Sequence, residues 1–498
     1  MIRHELRRLG KSVLIYGLGG VVNRVLSFAL LPVFTAYLSP TDYGILSILG
    51  VVAMVLVPIF SLGFEAATGP CYFEGNVRER KEATIWTAFT ILAASALILA
   101  ASGFLWSGEI SRLAFRTPRY HYPVTLTLLS ACLTILSLPW GLYLRFEERA
   151  GTFVALAALS ALISIGLSVL MVVVLRRSVL GMIEAQLLGG VLTLLLYLVF
   201  AAPRLRFRVD LRLGRELLRL GIPLVPGFVF LFVIHQGNKY ILQWFHGPAS
   251  VGMYAVGFNL GLAMQLAVSA FQSAWLPYFM SFADMQDEAR VLFPRILRYY
   301  VMGFGALCVL FFIAAKPVVM IMAQPAFRGA YQAVGPSAAA QFLGGMSSIL
   351  LPGLYFAKDV KYVTVVQAAA AVVAVGVDLL LIPSWGLLGA AVALMVGTLA
   401  TVVLQQAWNT WRKRDYLIVN HEWDRIFAFA LVYVGFLTLA LWGRDFPLST
   451  ELYLSVSACM GLLLALCMLL TPTERQIVGS AFRRLHSVWL RAGMKPEL

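Results

Sequence analysis

The sequence predicts an all-α polytopic membrane protein with about fourteen spanning helices. Three observations carry that prediction. The 498 residues are 60% hydrophobic and only 13% charged, with a mean hydropathy of +0.84, well outside the balance of a soluble chain of this length. Apolar blocks of spanning length follow one another from end to end, without the short alternating strands of a β-barrel. The positive charge falls on alternate loops.

The spans are placed at 12–38, 43–68, 83–107, 120–144, 152–175, 179–201, 216–245, 250–280, 294–322, 333–356, 360–382, 386–411, 425–443 and 450–471. The first follows the basic MIRHELRRLGK. It is longer than a signal-peptide core and has no small-residue cleavage site, so it reads as an uncleaved helix. Arg24 sits about 18 Å along it, near mid-membrane, where an unshielded charge is costly. Arg24 is therefore expected to face a protein interior or a water-filled cavity, with Asn23 beside it.

With the N-terminus in the cytoplasm, 29 of the 39 Lys and Arg lie on cytoplasmic segments and eight on the opposite side. Arg24 and Lys239 remain inside the membrane. The asymmetry places both termini in the cytoplasm. It also accounts for the net charge of +15 through topology, so no nucleic-acid partner is expected. Two cytoplasmic stretches, 204–221 and the tail around Val478, Phe482, Leu485 and Trp489, combine arginines with regularly placed apolar residues. Each fits an amphipathic helix on an anionic leaflet. Tryptophans and tyrosines gather towards span ends, as an interfacial belt does.

No soluble domain interrupts the chain. There is no GxxxxGK[ST] loop, no HExxH and no GxSxG, so neither ATP hydrolysis nor these hydrolytic chemistries are expected, and the chain is not read as an enzyme. The five cysteines (Cys71, Cys132, Cys308, Cys459 and Cys467) include no CxxC pair and read as packing residues. Neither a cofactor nor a metal site is expected.

Shifting the chain by 208 residues lays PTDYG at 40–44 over PASVG at 248–252, and Gly19 over Gly227. Spans 1–6 and 7–12 then form two six-helix lobes of the same orientation, a parallel repeat. The expected divisions are 1–203, 204–415, two additional helices at 416–473, and a basic tail at 474–498.

Polar residues inside the spans are the candidate site. Gln236, Lys239 and Gln243 share one face of the seventh span, flanked by His235 and Asn238. The eighth span offers Gln265, Ser269 and Gln272 on a common face, with Asn259 nearer its start. Glu65 falls near the cytoplasmic mouth, and Asp378 at an outer depth where it is placed to pair with Lys239, whose stem is also near enough to the outer end to snorkel. Such residues either glue helices together or line an aqueous path. Cations there suit a phosphate or pyrophosphate, while Glu65 and Asp378 would balance charge or couple transport to a proton or Na⁺.

Several stretches carry a family likeness: LLPVFTAYLSPTDYGILSIL at 30–49, GIPLVPGFVF at 221–230, NKYILQWFHGPASVGMYAVGFNLG at 238–261, WLPYF at 275–279 and DLLLIPSWGLLGAAVALMVG at 378–397. In their order and spacing the chain resembles the bacterial polysaccharide flippases, the Wzx-type branch of the multidrug/oligosaccharidyl-lipid/polysaccharide exporter superfamily. The resemblance implies a V-shaped pair of lobes around a central cationic cavity in the bacterial inner membrane. It further implies that an undecaprenyl-pyrophosphate-linked oligosaccharide crosses by alternating access for cell-surface polysaccharide synthesis, with Arg24 and Lys239 as cavity cations. Implied partners are membrane lipids and the polysaccharide polymerase and chain-length machinery. This chain has Asn238 where the family commonly has Asp, and Asp378 where members favour Asn. The other readings are a cation-coupled multidrug exporter of the same fold, a lipid II flippase, a non-transporting scaffold for polysaccharide assembly, and a membrane glycosyltransferase.

Overall fold

The computed structural model describes residues 28–74, 77–147, 150–282, 285–356 and 361–411, with a few more between 423 and 435. Asn23 and Arg24, the last two expected spans beyond residue 435 and the basic tail lie outside the described residues.

Every regular element among the described residues is helical. They run α1 (Phe28–Tyr37), α2 (Pro40–Phe60), α3 (Phe64–Phe73), α4 (Arg78–Phe115), α5 (His121–Phe146), α6 (Ala150–Val169), α7 (Ser178–Ala201), α8 (Leu211–Gly221), α9 (Val225–Gly261), α10 (Ala263–Met280), α11 (Gln286–Met322), α12 (Tyr331–Ile349), α13 (Pro352–Phe356) and α14 (Lys361–Trp411). Nine helical stretches among the described residues are long and apolar enough to cross a membrane. Two of these, Leu211–Gly261 and Tyr362–Trp411, contain 51 and 50 residues. A straight helix of that length would extend about 75 Å, more than twice a hydrocarbon core of about 30 Å. Each is broken by a glycine of positive φ, Gly247 at 76° and Gly386 at 53°. A Cβ on Gly389 would lie 2.5 Å from the Leu381 carbonyl oxygen, so the chain folds back on itself at the second break.

Local chemistry explains where α2 starts. In SPTDYG the Ser39 hydroxyl accepts from the Asp42 amide at 3.2 Å, and the Asp42 carboxylate accepts from the Ser39 amide at 2.9 Å. This capping box, with Pro40 at the first helical position, satisfies donors that would otherwise be orphaned.

The 208-residue spacing recurs in the described elements. α4 and α11 begin 208 residues apart, at Arg78 and Gln286. The positive-φ residues Ser178 (φ 50°) and Gly386 (φ 53°) are also 208 residues apart. Gly44 and Gly252 make reciprocal contacts: a Cβ on Gly44 would overlap the Pro248 carbonyl oxygen, and one on Gly252 would overlap that of Pro40. Two copies of one motif that contact each other reciprocally, each through the same surface, define a local two-fold relationship.

The chain divides into two compact units, residues 1–283 with 315–418, and residues 284–314 with 419–498. The first has a continuous apolar core in which Ile48, Phe64, Ala88, Leu92, Leu128, Leu242, Val251 and Tyr254 are fully buried. In the second, the described part is mainly the first portion of α11, where Arg290 pairs with Asp287 at 3.0 Å.

One cytoplasmic expectation changes. α8 is amphipathic, but its buried residues Leu213, Gly214, Leu217 and Gly221 face protein rather than a leaflet. Leu213 and Leu217, four residues apart on one face, join the core, and Gly214 abuts Thr87 and Ile91. The apolar residues left for an interface are chiefly Phe207 and Leu211, 70% and 87% exposed.

Candidate functional site

The polar stripe of the seventh span lies on α9, and its members have different surroundings. Asn238 is buried, and its amide nitrogen donates to the Tyr254 hydroxyl at 2.6 Å and the Ala390 carbonyl at 3.0 Å. It thereby ties the two halves of α9 to α14. Its Oδ1, and the Oε1 atoms of Gln236 and Gln243, are buried without a hydrogen-bond partner among the described residues.

Lys239 is 8% exposed, and its ammonium lies 4.7 Å from the centroid of the Phe258 ring. Snorkelling outward, the alternative for this side chain, does not occur: the ammonium lies against an aromatic face. Nor does the expected pair with Asp378 form: among the described residues no ion pair joins the two. Asp378 lies on α14, is 3% exposed, and has a buried Oδ1 without a partner among the described residues. It is within electrostatic range of Tyr254. The interior thus holds an aromatic-capped cation and a separate buried carboxyl group. Among the described residues no cluster of His, Cys, Asp and Glu could hold a metal ion.

Gln265 and Gln272 on α10 open onto a cavity of about 340 Å³, bounded by α9, α10, α12 and α14. The same cavity is lined by Gln341, Gln367 and Gln405, by Thr398 and by His235. Gln341 and Gln405 are buried, and the Gln405 Nε2 has no hydrogen-bond partner among the described residues. Gln272 donates to the Ser348 hydroxyl at 2.7 Å, and Trp275 Nε1 donates to the Ser348 carbonyl at 2.9 Å. Sequence reasoning missed Gln341, Gln367 and Gln405. They stand on α12 and on the two halves of α14, and only the packing of several helices brings them together. Asn259, by contrast, is exposed and does not join this cavity.

Glu65 stands in the first turn of α3, just after the break at Leu62 and Gly63, and is largely exposed. Its carboxylate is 4.0 Å from Arg145, at the end of α5. Close by, Tyr72 donates to Glu147 at 2.7 Å. The far ends of the helices are tied differently. The Arg116 guanidinium lies 3.8 Å from the Trp244 ring centroid, and the Tyr240 hydroxyl donates to the Leu113 carbonyl at 2.7 Å. His246 bridges two turns by packing on Gly386 and hydrogen bonding to the Ile382 carbonyl at 2.8 Å.

Solved structures share this helical arrangement. The lipid II flippase MurJ, in an inward closed conformation, aligns over 90% of this chain and 98% of its own with a TM-score of 0.70 and 13% identity. An inward-facing multidrug resistance MATE family transporter of the MOP superfamily aligns over 77% of this chain and 93% of its own, with a TM-score of 0.66 and 14% identity. The MATE multidrug transporter DinF-BH gives a TM-score of 0.57 at 16% identity over 82% of this chain and 96% of its own. At these identities the likeness is one of fold. A search of curated proteins finds no significant match. The sequence profile of the polysaccharide biosynthesis protein family matches residues 9–283, more than half of the chain and both sides of the Gly44–Pro248 contact. By that match, and with a fold to suit it, the chain belongs to the polysaccharide biosynthesis protein family.

Proposed function

We propose that this protein moves an undecaprenyl-pyrophosphate-linked oligosaccharide from the cytoplasmic to the outer leaflet of the bacterial inner membrane by alternating access. In this reading the lobes 1–203 and 204–415 rock about the Gly44–Gly252 crossing, and 416–473 and 474–498 are two further helices and a cytoplasmic tail. Both termini are cytoplasmic, and the polymerase and chain-length machinery take the product. The observation that supports this most is Lys239, buried and without a carboxylate partner among the described residues. A buried cation is costly unless something anionic meets it in part of the cycle. Arg24, Asn23, Gln236, Asn238, Gln243, Gln265 and Gln272 form the substrate cavity, while Glu65 and Asp378 balance its charge or couple an ion. Family membership and the flippase and exporter folds support the same reading.

The drug-exporter reading has one feature in its favour, the buried carboxyl group of Asp378. One experiment separates the two. Purified protein in sealed liposomes receives a fluorescent undecaprenyl-pyrophosphate oligosaccharide or a cationic dye. The lipid is expected to exchange between leaflets, and Arg24→Gln or Lys239→Gln to slow it about 10- to 100-fold, as loss of a charge-assisted hydrogen bond implies. Gradient-driven dye movement without lipid exchange would establish the exporter. Lipid exchange indifferent to both substitutions would remove these residues from the site.

A further inference from the structure

We infer that the glutamine-lined cavity between α9, α10, α12 and α14 is a binding pocket for an uncharged sugar residue. The inference rests on the proposed handling of a sugar-bearing lipid, and it assigns the glycan, rather than the pyrophosphate, to this pocket.

The chemistry of the wall selects the ligand class. Five primary amides line the cavity, from Gln265, Gln272, Gln341, Gln367 and Gln405. Each amide offers two donors and an acceptor, matching the mixed donor and acceptor character of sugar hydroxyls. No Lys, Arg, Asp or Glu is among the described lining residues, and the titratable side chain among them is His235, so no fixed charge there compensates a phosphate or an ammonium. Apolar side chains such as Ile234, Leu351 and Val366 provide surface for the C–H face of a sugar ring. The volume of about 340 Å³ falls in the range of small-molecule pockets, roughly 300–1,000 Å³. It corresponds to on the order of ten waters at about 30 Å³ each. That is too wide for the close oxygen cage of a bare metal cation.

A second observation points to a ligand. Gln405 is 4% exposed, lines the cavity, and carries an amide nitrogen with no hydrogen-bond partner among the described residues. A buried donor left unpaired is destabilising, and a native structure keeps one where it serves a purpose. One other cavity amide is held in place: Gln272 is anchored on Ser348, whose carbonyl also accepts from Trp275. The pocket thus has an anchored amide on one wall and an uncommitted donor on another.

The test combines binding, stability and exchange on the full-length protein. Ligand-observed saturation-transfer NMR is run with uncharged methyl glycosides of hexoses and N-acetylhexosamines, on wild type, Gln405→Leu and Gln367→Leu. At least one glycoside is expected to bind wild type, and each substitution to weaken it about tenfold. Gln405→Leu is expected to leave the melting temperature unchanged or raised, because it removes an unpaired buried donor. In liposomes Gln405→Leu is expected to slow the glycan-bearing lipid but not bare undecaprenyl pyrophosphate. Glycoside binding without lipid exchange by wild type would retain the pocket and dismiss the flippase. Lipid exchange without glycoside binding, and unchanged in Gln405→Leu, would overturn the pocket. A lowered melting temperature with binding intact would overturn it too, by making Gln405 a packing residue. So would signals that respond to Na⁺ instead of sugar.

Discussion

The guanidinium of Arg116 lies 3.8 Å from the centre of the Trp244 ring, joining the C-terminal end of α4 to the C-terminal part of the first half of α9. Arg116 reaches it from a left-handed backbone conformation, φ 57°, that ends α4. One turn away the Tyr240 hydroxyl donates to the Leu113 carbonyl. In the proposed orientation these contacts close the outer end of the bundle. A cation–π contact this exposed contributes about 0.5–1 kcal/mol, and the hydrogen bond about 1 kcal/mol. Removing both, in Trp244→Ala with Tyr240→Phe, is expected to shift the closed-to-open ratio about ten- to thirty-fold. Spin labels at Arg119 and Phe245 would then show a longer distance population by double electron–electron resonance. An unchanged distribution would show that the closed end is held by other contacts.

The Gly44–Gly252 crossing leads to a stability prediction with an internal control. Each glycine faces a backbone carbonyl that cannot rotate away, Pro248 for Gly44 and Pro40 for Gly252. Gly44→Ala and Gly252→Ala are each expected to destabilise the protein by about 1–3 kcal/mol, the range for overpacking. The two losses should be alike, because the contacts are reciprocal. Gly50, in the same helix as Gly44, has nothing within 4 Å of the point where an alanine methyl would sit, so Gly50→Ala gains helix propensity of up to about 1 kcal/mol. Thermal melting in detergent checks all three. Equal tolerance of alanine at positions 44 and 50 would mean that α2 slides easily against α9.

Much of this was legible in the sequence because hydrocarbon imposes simple rules. The apolar blocks and the loop charges locate the spans, and PTDYG over PASVG marks a repeat whose members meet at Gly44 and Gly252. What was illegible depends on lateral packing. Nothing in the sequence says that Lys239 turns onto Phe258 rather than towards Asp378. Nothing says that glutamines on α10, α12 and α14 converge, since a 3.6-residue period describes one helix and not its neighbours. The stretch 204–221 misleads for the same reason. Its amphipathic pattern is correct, but pattern alone does not distinguish a lipid surface from a protein one.

That stretch yields a prediction in which magnitudes decide between two anchors. α8 and the segment leading into it are held to their neighbours by ion pairs, Arg80–Glu216 at 3.1 Å and Arg208–Glu79 at 2.9 Å. It is also held by Leu217, which is fully buried. The charged partners are partly exposed, and such pairs contribute about 0–1 kcal/mol. Truncating a buried leucine costs about 2–5 kcal/mol. Leu217→Ala is therefore expected to increase hydrogen exchange across α8 far more than Glu216→Gln. Raising the salt concentration should have little effect. Strong salt sensitivity would assign the attachment of α8 to its charges.

Asp378 allows stability and function to be separated. Its carboxyl group is 3% exposed, and Oδ1 has no partner among the described residues. Asparagine keeps the shape and removes the charge, so Asp378→Asn is expected to raise stability by about 1 kcal/mol or more, the reverse of the usual cost of a core substitution. If this carboxyl takes up a proton or Na⁺ during the cycle, the same variant loses the response of lipid exchange to an imposed gradient but keeps passive exchange. Measured together, melting temperature and gradient response give four combinations with distinct meanings. A gain in stability with loss of coupling assigns Asp378 to the driving step. A gain with coupling intact leaves it as charge balance. A loss of stability with coupling intact makes it a structural anchor. A loss of both means that an ion or proton holds the resting fold together through this carboxylate, and the stability of the wild type should then depend on that ion.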